Sequence, residues 1–349
     1  MKKIEETDKN FAVDGRAIRG GMCFYDVLQE PFRIYGVFME NGKFRRMPGK
    51  VAEQVSEGVY NLHTNTAGGR VRFVTDSLYV AIRTEYTPSW MPHFAYSGSG
   101  GFDMYAAVGN HTRYAGTFVP PLDAVSGYEG VIDFADRRER EVTIHFPLYS
   151  DVRKLWIGLE EGAVLKETSG YGRKKKIVYY GSSITQGGCA SRPGSCYPAI
   201  LSRRFDCDHV NLGFSGNAKG EDEMADYIGS LAMDVFVYDY DHNAPSVAHL
   251  KGTHRRMFCR IREKHPDLPV IILSRPKYYL NEEEQERRQI IYDTYRLARE
   301  GGDRNVFFIG GEKLMELVED EGTVDNCHPT DSGFFSMAHA VGTVLEKIL

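Results

Sequence analysis

The chain has only two tryptophans and six cysteines among its 349 residues, and no two cysteines form a C-x-x-C pair. So few thiols in a chain this long exclude a disulfide framework. At most Cys189 and Cys196, seven apart in one loop, are placed to pair. No apolar run approaches the roughly 18 residues that a membrane-crossing helix needs. The opening MKKIEETDKNFAVDG is charged but has no apolar core, so no secretory leader is expected. The expected compartment is the cytoplasm, with reduced thiols and no membrane partner. Positive charge is not in excess: the net charge is -5, and no basic stripe is interleaved with aromatics, so nucleic acid is not an expected partner. Three common motifs are missing: the G-x-S-x-G elbow, the dinucleotide-binding G-x-G-x-x-G and the phosphate-binding G-x-x-x-x-G-K-[ST]. No cofactor is expected. Nor is a metal, because His249 and His254, five apart on a predicted helix, lack a partner at ligand spacing.

The rest of the composition, 42% hydrophobic and 26% charged, is that of an ordinary soluble protein, and the length suits two domains. Two rhythms divide the chain. Up to about residue 165, short alternating apolar runs are separated by Gly and Pro clusters such as SGSGG (97–101). RVRFV (70–74), SLYVAIRTEY (77–86), FDMYAAV (102–108), EVTIHFPL (141–148) and KLWIGL (154–159) read as strands. Helical stretches are scarce there, which predicts an antiparallel β-sandwich or jelly roll over residues 1–170. The basic runs RRER (137–140) and RKKK (173–176) read as solvated turns or a linker.

Over 171–349 the rhythm becomes strand, turn, helix. Strands are predicted at 177–180, 209–214, 234–240, 269–274 and 305–309. Helices are predicted near 197–205, 220–231, 246–264, 282–300 and from 332 onward. Asn281 caps the fourth of these, with Ile290, Ile291 and Leu297 facing inward. Such alternation implies a doubly wound parallel α/β sheet, whose ligands bind beyond the carboxyl ends of its strands.

The first of those strand ends reads IVYYGSSITQGG (177–188), where an apolar run stops at a glycine and two hydroxyls. A nucleophilic serine there, Ser183, needs a base, and the base needs an orienting carboxylate. VDNCHPTDSGF supplies Asp325 and His328, three apart, on a loop before the last helix. An oxyanion hole needs donors. The backbone N–H at Gly216 follows the second strand, and the amide of Asn243 follows the third.

Ser183 in GSSIT, Gly216 in NLGFSGN, Asn243 in YDHNA, and Asp325 with His328 in DNCH occur in the order of the SGNH, or GDSL-type, hydrolase superfamily, which residues 175–349 resemble. The resemblance implies a flavodoxin-like sheet and hydrolysis through an acyl-serine. Ser182 stands where that family usually carries aspartate, and Tyr240 and Ala244 depart from its G-x-N-D block. HTNTAGGRVRFVTDS, followed by GFDMY at 101–105, is similar to the β-sandwich domain with a Gly-x-Asp-Leu-Tyr motif that precedes some bacterial SGNH enzymes. That association points to deacylation of carbohydrates. Asp103 and Tyr105 of the motif are expected to hold their domain together.

The function expected from these features is a serine esterase that removes a short acyl group, acetyl first, from a carbohydrate. Ser183 is its nucleophile, His328 its base and Asp325 the orienter. The N–H groups of Ser183 and Gly216 and the Asn243 amide form its oxyanion hole. The substrate is a small-molecule or oligosaccharide ester, and a homo-oligomer is possible. Trp90 and His93 in SWMPH (89–93) either stack on a sugar or, for the tryptophan, fill a core. His242 either lines the pocket or packs. The alternatives are a lipase-like or thioester hydrolase of the same fold, a catalytically silent carbohydrate-binding protein, and acyl transfer to a second sugar.

Overall fold

A computed structural model describes residues 4–9, 12, 13, 17, 19–109 and 111–349. Two antiparallel sheets form the amino-terminal half. One orders the strands Met22–Asp26, Asp151–Glu160, Tyr79–Thr87 and Gly127–Asp133. The other orders Leu165–Lys166, Arg70–Thr75, Arg140–His145, Phe102–Val108 and His111–Phe118, with Arg33–Tyr35 also on Arg70–Thr75. Alternate residues from both sheets, among them Val71, Phe73, Val80, Ile82, Met104 and Ile144, make one buried core, which is the expected sandwich.

The strands His111–Phe118 and Gly127–Asp133 go beyond the sequence expectation. Each pairs on one side only, at a sheet edge, and each is mostly exposed or half-buried, so neither carries a strong two-residue apolar period. Two short helices, Gly49–Val55 and Glu57–Leu62, also interrupt the half read as nearly helix-free.

The carboxyl-terminal half is a five-stranded parallel sheet in the order Cys207–Gly213, Arg173–Gly181, Val235–Asp239, Val270–Leu273 and Val306–Ile309. Its strands are buried on both faces, as a doubly wound sheet requires. Ile177 and Tyr179 of the strand Arg173–Gly181 face one core, shared with the helices Tyr197–Phe205 and Asp331–Leu345. Val178 and Tyr180 face the other, under Asp222–Gly229, Val247–Lys264 and Glu282–Glu300.

The RKKK run is not a linker. It forms the exposed first part of the strand Arg173–Gly181. Leu297 is also corrected: it is 37% exposed, while Arg287, Ile291 and Thr294 take the inward face of their helix. The inward stripe includes an arginine because Arg287 holds a turn of the site described below.

The polar face of the strand Arg70–Thr75 makes the junction between the halves. The Arg70 guanidinium is buried, pairs with Asp208 and donates to the carbonyl of His209 at 3.0 Å. Arg46 is equally buried and donates to the carbonyls of Gly213 (2.5 Å) and Leu62 (2.7 Å).

Buried His209 and His254 and half-buried His242 make stability sensitive to acid. Burial pushes His242 down to about 4 and His254 to about 3, and lowers His209 well below the ordinary value. His254 is stacked on Tyr238 and bonded to Thr294. The unfolded chain protonates these groups near pH 6.5, and the folded chain does not until far lower. Stability is therefore fully present above about pH 6.5 and falls as pH drops toward 4, by up to roughly tenfold in the folding equilibrium per pH unit for each histidine. Urea midpoints at pH 7 and pH 5 check this. An equal midpoint at both would refute it.

Candidate active site

Ser183 opens a four-residue helix, Ser183–Gln186, just past the carboxyl end of the strand Arg173–Gly181. Ser182 caps that helix: its hydroxyl accepts from the Ile184 N–H at 3.2 Å. Its own N–H donates to the carbonyl of Asp239 at 3.0 Å. Serine and aspartate cap helices comparably, so the departure at Ser182 leaves the turn intact.

The Ser183 hydroxyl lies 2.9 Å from Nε2 of His328, and Nδ1 of His328 lies 2.8 Å from Oδ2 of Asp325. Oδ1 of Asp325 accepts the backbone N–H of His328 (2.7 Å) and of Cys327 (3.1 Å), so the carboxylate is pinned to its own loop. Burial alone would raise the Asp325 carboxyl. The hydrogen bonds from the backbone and ring of His328 outweigh it and hold the group below the ordinary range. The ionised Asp325 accepts a hydrogen bond from Nδ1–H of His328, which leaves the Nε2 lone pair facing the serine.

The three expected oxyanion donors stand at the ends of adjacent strands. Gly216 has φ +70°, a conformation open to glycine, and its N–H has no acceptor among the described residues. The N–H of Ser183 is likewise free there. Oδ1 of Asn243 accepts the N–H of Ala218 at 3.2 Å, which turns the Nδ2 donor away from that bond, and Nδ2 has no partner among the described residues. The turn Asp241–Asn243 is braced from beneath. Arg287 binds Oδ1 of Asp241 (2.8 Å) and the carbonyls of Asp241 and Ala244 (each 2.7 Å), and Arg275 adds a bond to Oδ2 (3.2 Å). The buried Asp239 carboxyl ends the neighbouring strand and is pushed up to about 7 by burial and by the Asp241 charge.

The sandwich half reaches the same mouth. His93 places Nε2 3.9 Å from Oδ2 of Asp325, and its ring centre is 5.8 Å from that of His328. The Tyr149 hydroxyl lies 3.4 Å from the Ser183 carbonyl. Trp90 is 67% exposed, so it is not a core residue; its neighbours Ser89 and Met91 line a cleft of about 560 Å³ between the halves. Asn61, Asn65, Asp151, Ser215 and Asn217 give that cleft a polar wall. His242 sits under the loop that carries the base, with Nδ1 3.7 Å from Sγ of Cys327. All six cysteines are free, Cys189 and Cys196 included.

One group, Gln186, was given no role by the sequence, and the motif pair Asp103 and Tyr105 reaches further than expected. Gln186 donates to Oδ1 of Asn65 (3.1 Å) and to the Leu148 carbonyl (3.2 Å), and accepts the Ser215 N–H at 3.0 Å. It thereby fixes the loop of Gly216 against the sandwich. Asp103 and Tyr105 hold more than their own domain. Asp103 accepts from Nδ1 of His145 (2.8 Å), the Gly194 N–H (2.9 Å) and Arg192 (3.1 Å), and Tyr105 accepts from Arg192 at 2.5 Å. The motif thus clamps loop 187–196, whose Gly188 packs so closely that an added Cβ would lie 3.2 Å from the His328 ring.

Residues 174–346 match the GDSL-like lipase/acylhydrolase family, and residues 22–165 match the GxDLY N-terminus of SGNH hydrolase-type esterases. No curated protein matches the chain. A structure described as a GDSL-like lipase from Bacteroides ovatus is 29% identical, covers 94% of this chain and 98% of its own, and superposes with a TM-score of 0.84. A salicylyl-acyltransferase from a tetracycline biosynthetic pathway shares the fold at 20% identity, with coverage of 95% and 98% and a TM-score of 0.76. So does a family two carbohydrate esterase from Cellvibrio japonicus, at 12% identity, 94% and 98% coverage and a TM-score of 0.61.

Proposed function

The chain belongs to the GDSL-type SGNH hydrolases, in their two-domain form with a GxDLY sandwich, and on that premise we propose that it removes a short acyl group, acetyl first, from a carbohydrate ester. The observation that carries the reading is the relay from Ser183 through His328 to Asp325, set beside three donors that have no acceptor among the described residues. In this reading Ser183 attacks the ester carbonyl while Nε2 of His328 takes its proton. The N–H groups of Ser183 and Gly216 and the Asn243 amide hold the oxyanion. His328 then returns the proton to the leaving alcohol, and water repeats the sequence on the acyl-serine.

The sugar side of the reading is supported by the cleft wall. Asn61, Asn65, Asp151 and Asn217 offer hydrogen bonds to hydroxyl groups, whereas a long acyl chain needs an apolar trough. Trp90, exposed between two cleft residues, is placed to present a ring face to a sugar. The fold shared with a carbohydrate esterase points the same way. We place the domain division near residue 170, just before the first parallel strand begins at Arg173.

A graded series of aryl esters from acetyl to decanoyl tests the proposal. Initial rates of the full chain are expected to be highest on acetyl and to fall as the chain lengthens. A preference for long chains would replace the carbohydrate reading with a lipase.

A further inference from the structure

We propose that His93, Cys189 and His328 form a binding site for a soft divalent cation, zinc above all, and that occupation of this site switches the active site off. One ligand atom from each of the three residues lies within 4.8 Å of the others. They come from three separate segments: the sandwich loop 89–93, the glycine-rich loop after the nucleophile's helix, and the loop of the base. A tetrahedral zinc with two nitrogens near 2.0–2.1 Å and one sulfur near 2.3 Å places its ligand atoms about 3.3–3.6 Å apart. Occupation closes the three ligand atoms, now within 4.8 Å of one another, to that spacing. A fourth position is left for water.

The surroundings of each ligand suit a metal. Nδ1 of His328 is bonded to Asp325, so Nε2 is the nitrogen with a lone pair to give. A carboxylate behind a metal-bound imidazole is the usual way a protein fixes the ring and raises its basicity. His93 is 43% exposed in its side chain, which gives the ion a path from solvent. Cys189 is largely buried beside it in the left-handed conformation, with φ +72°. Burial raises its thiol to about 12, so the sulfur is not a free thiolate at neutral pH. Binding of a cation releases that proton to solvent and forms the metal–thiolate bond.

The consequence for turnover follows from the atom used. Nε2 of His328 is the atom that accepts the Ser183 proton, and a nitrogen bound to zinc has no lone pair for it. Metal and ester chemistry are mutually exclusive at this nitrogen. The site itself does not depend on which ester is cleaved; only the switching effect rests on the proposed mechanism.

Cobalt and zinc titrations of the chelator-stripped full chain test the site. Wild type is expected to bind one Co2+ with a near-ultraviolet thiolate-to-metal band, to release it to Zn2+, and to lose aryl acetate hydrolysis in step, with recovery on adding a chelator. Cys189→Ala and Cys189→Ser are expected to lose the band and to need at least about tenfold more Zn2+ for half inhibition of their own basal rate. Absence of the band in wild type, or half inhibition of both variants at the wild-type zinc concentration, would overturn the proposal. If wild type shows the band but hydrolyses no ester, the esterase mechanism fails and the metal site stands.

Discussion

Ser183→Ala and His328→Ala are each expected to lower kcat by roughly a millionfold, and the double variant by no more than either one. The non-additivity follows from the geometry. The 2.9 Å bond between the Ser183 hydroxyl and Nε2 of His328 makes one proton-transfer unit, so removing either end removes the whole. Asp325→Asn should cost about 10⁴-fold, because an amide no longer selects the tautomer that leaves Nε2 free. Asn243→Ala is a smaller and independent loss of about 100- to 1000-fold, since it deletes one oxyanion donor and leaves the nucleophile intact. The residual rate in the double variant comes from those donors. Steady-state rates on an aryl acetate, with circular dichroism to show that each variant is folded, separate these outcomes. If Ser183→Ala kept more than a hundredth of wild-type kcat, the acyl-serine route would have to be abandoned.

Most parts of this arrangement that were legible in the sequence share one property: they follow strand ends of a doubly wound sheet. The parallel strands are buried over most of their length, so each reads as a short apolar run, and the segment after each run falls at the mouth of the fold. Ser183, Gly216 and Asn243 follow that rule, and Asp325 with His328 lie close enough in sequence to read as a pair. Residues that act from the other domain have no such signature. Gln186 looks like any polar helix residue until the sandwich brings Asn65 to it. Arg46 and Arg70 lie among residues that read as loop or strand, and their burial follows from carbonyls and an acid about 140–170 positions away in the chain. His93 was legible as an exposed loop histidine, but its approach to Asp325 is a product of domain docking. The edge strands were lost for the opposite reason, since too little of each is buried to leave a period.

Asp103→Asn tests whether the sandwich shapes the active site or only adjoins it. The carboxylate is wholly buried and faces His145, Arg192 and Arg203; burial pushes it up, but those three partners outweigh burial and keep it ionised. Asparagine has nearly the same volume, so no cavity opens. It removes the charge and turns an amide donor toward groups that are already donors. Breaking a buried ionic network of this kind costs about 3–5 kcal/mol, and that loss is expected as a lower urea midpoint. A second effect separates a clamp from mere ballast. Loop 187–196 is held by Asp103 through Gly194, by Ser97 at the Ser191 carbonyl (2.6 Å) and by Asp331 at the Ser191 N–H (2.8 Å), and it brings Gly188 so near the base that a Cβ there would lie 3.2 Å from the His328 ring. With the Asp103 tie weakened, kcat should fall even at temperatures where the variant is fully folded, whereas Tyr105→Phe, which removes a single bond at the rim of the same network, should cost only about 1 kcal/mol of stability and little rate. An Asp103→Asn protein with a reduced midpoint but unchanged kcat would mean that the motif stabilises the domain junction without reaching the chemistry. An unchanged midpoint would mean that the buried charge is not what holds the loop.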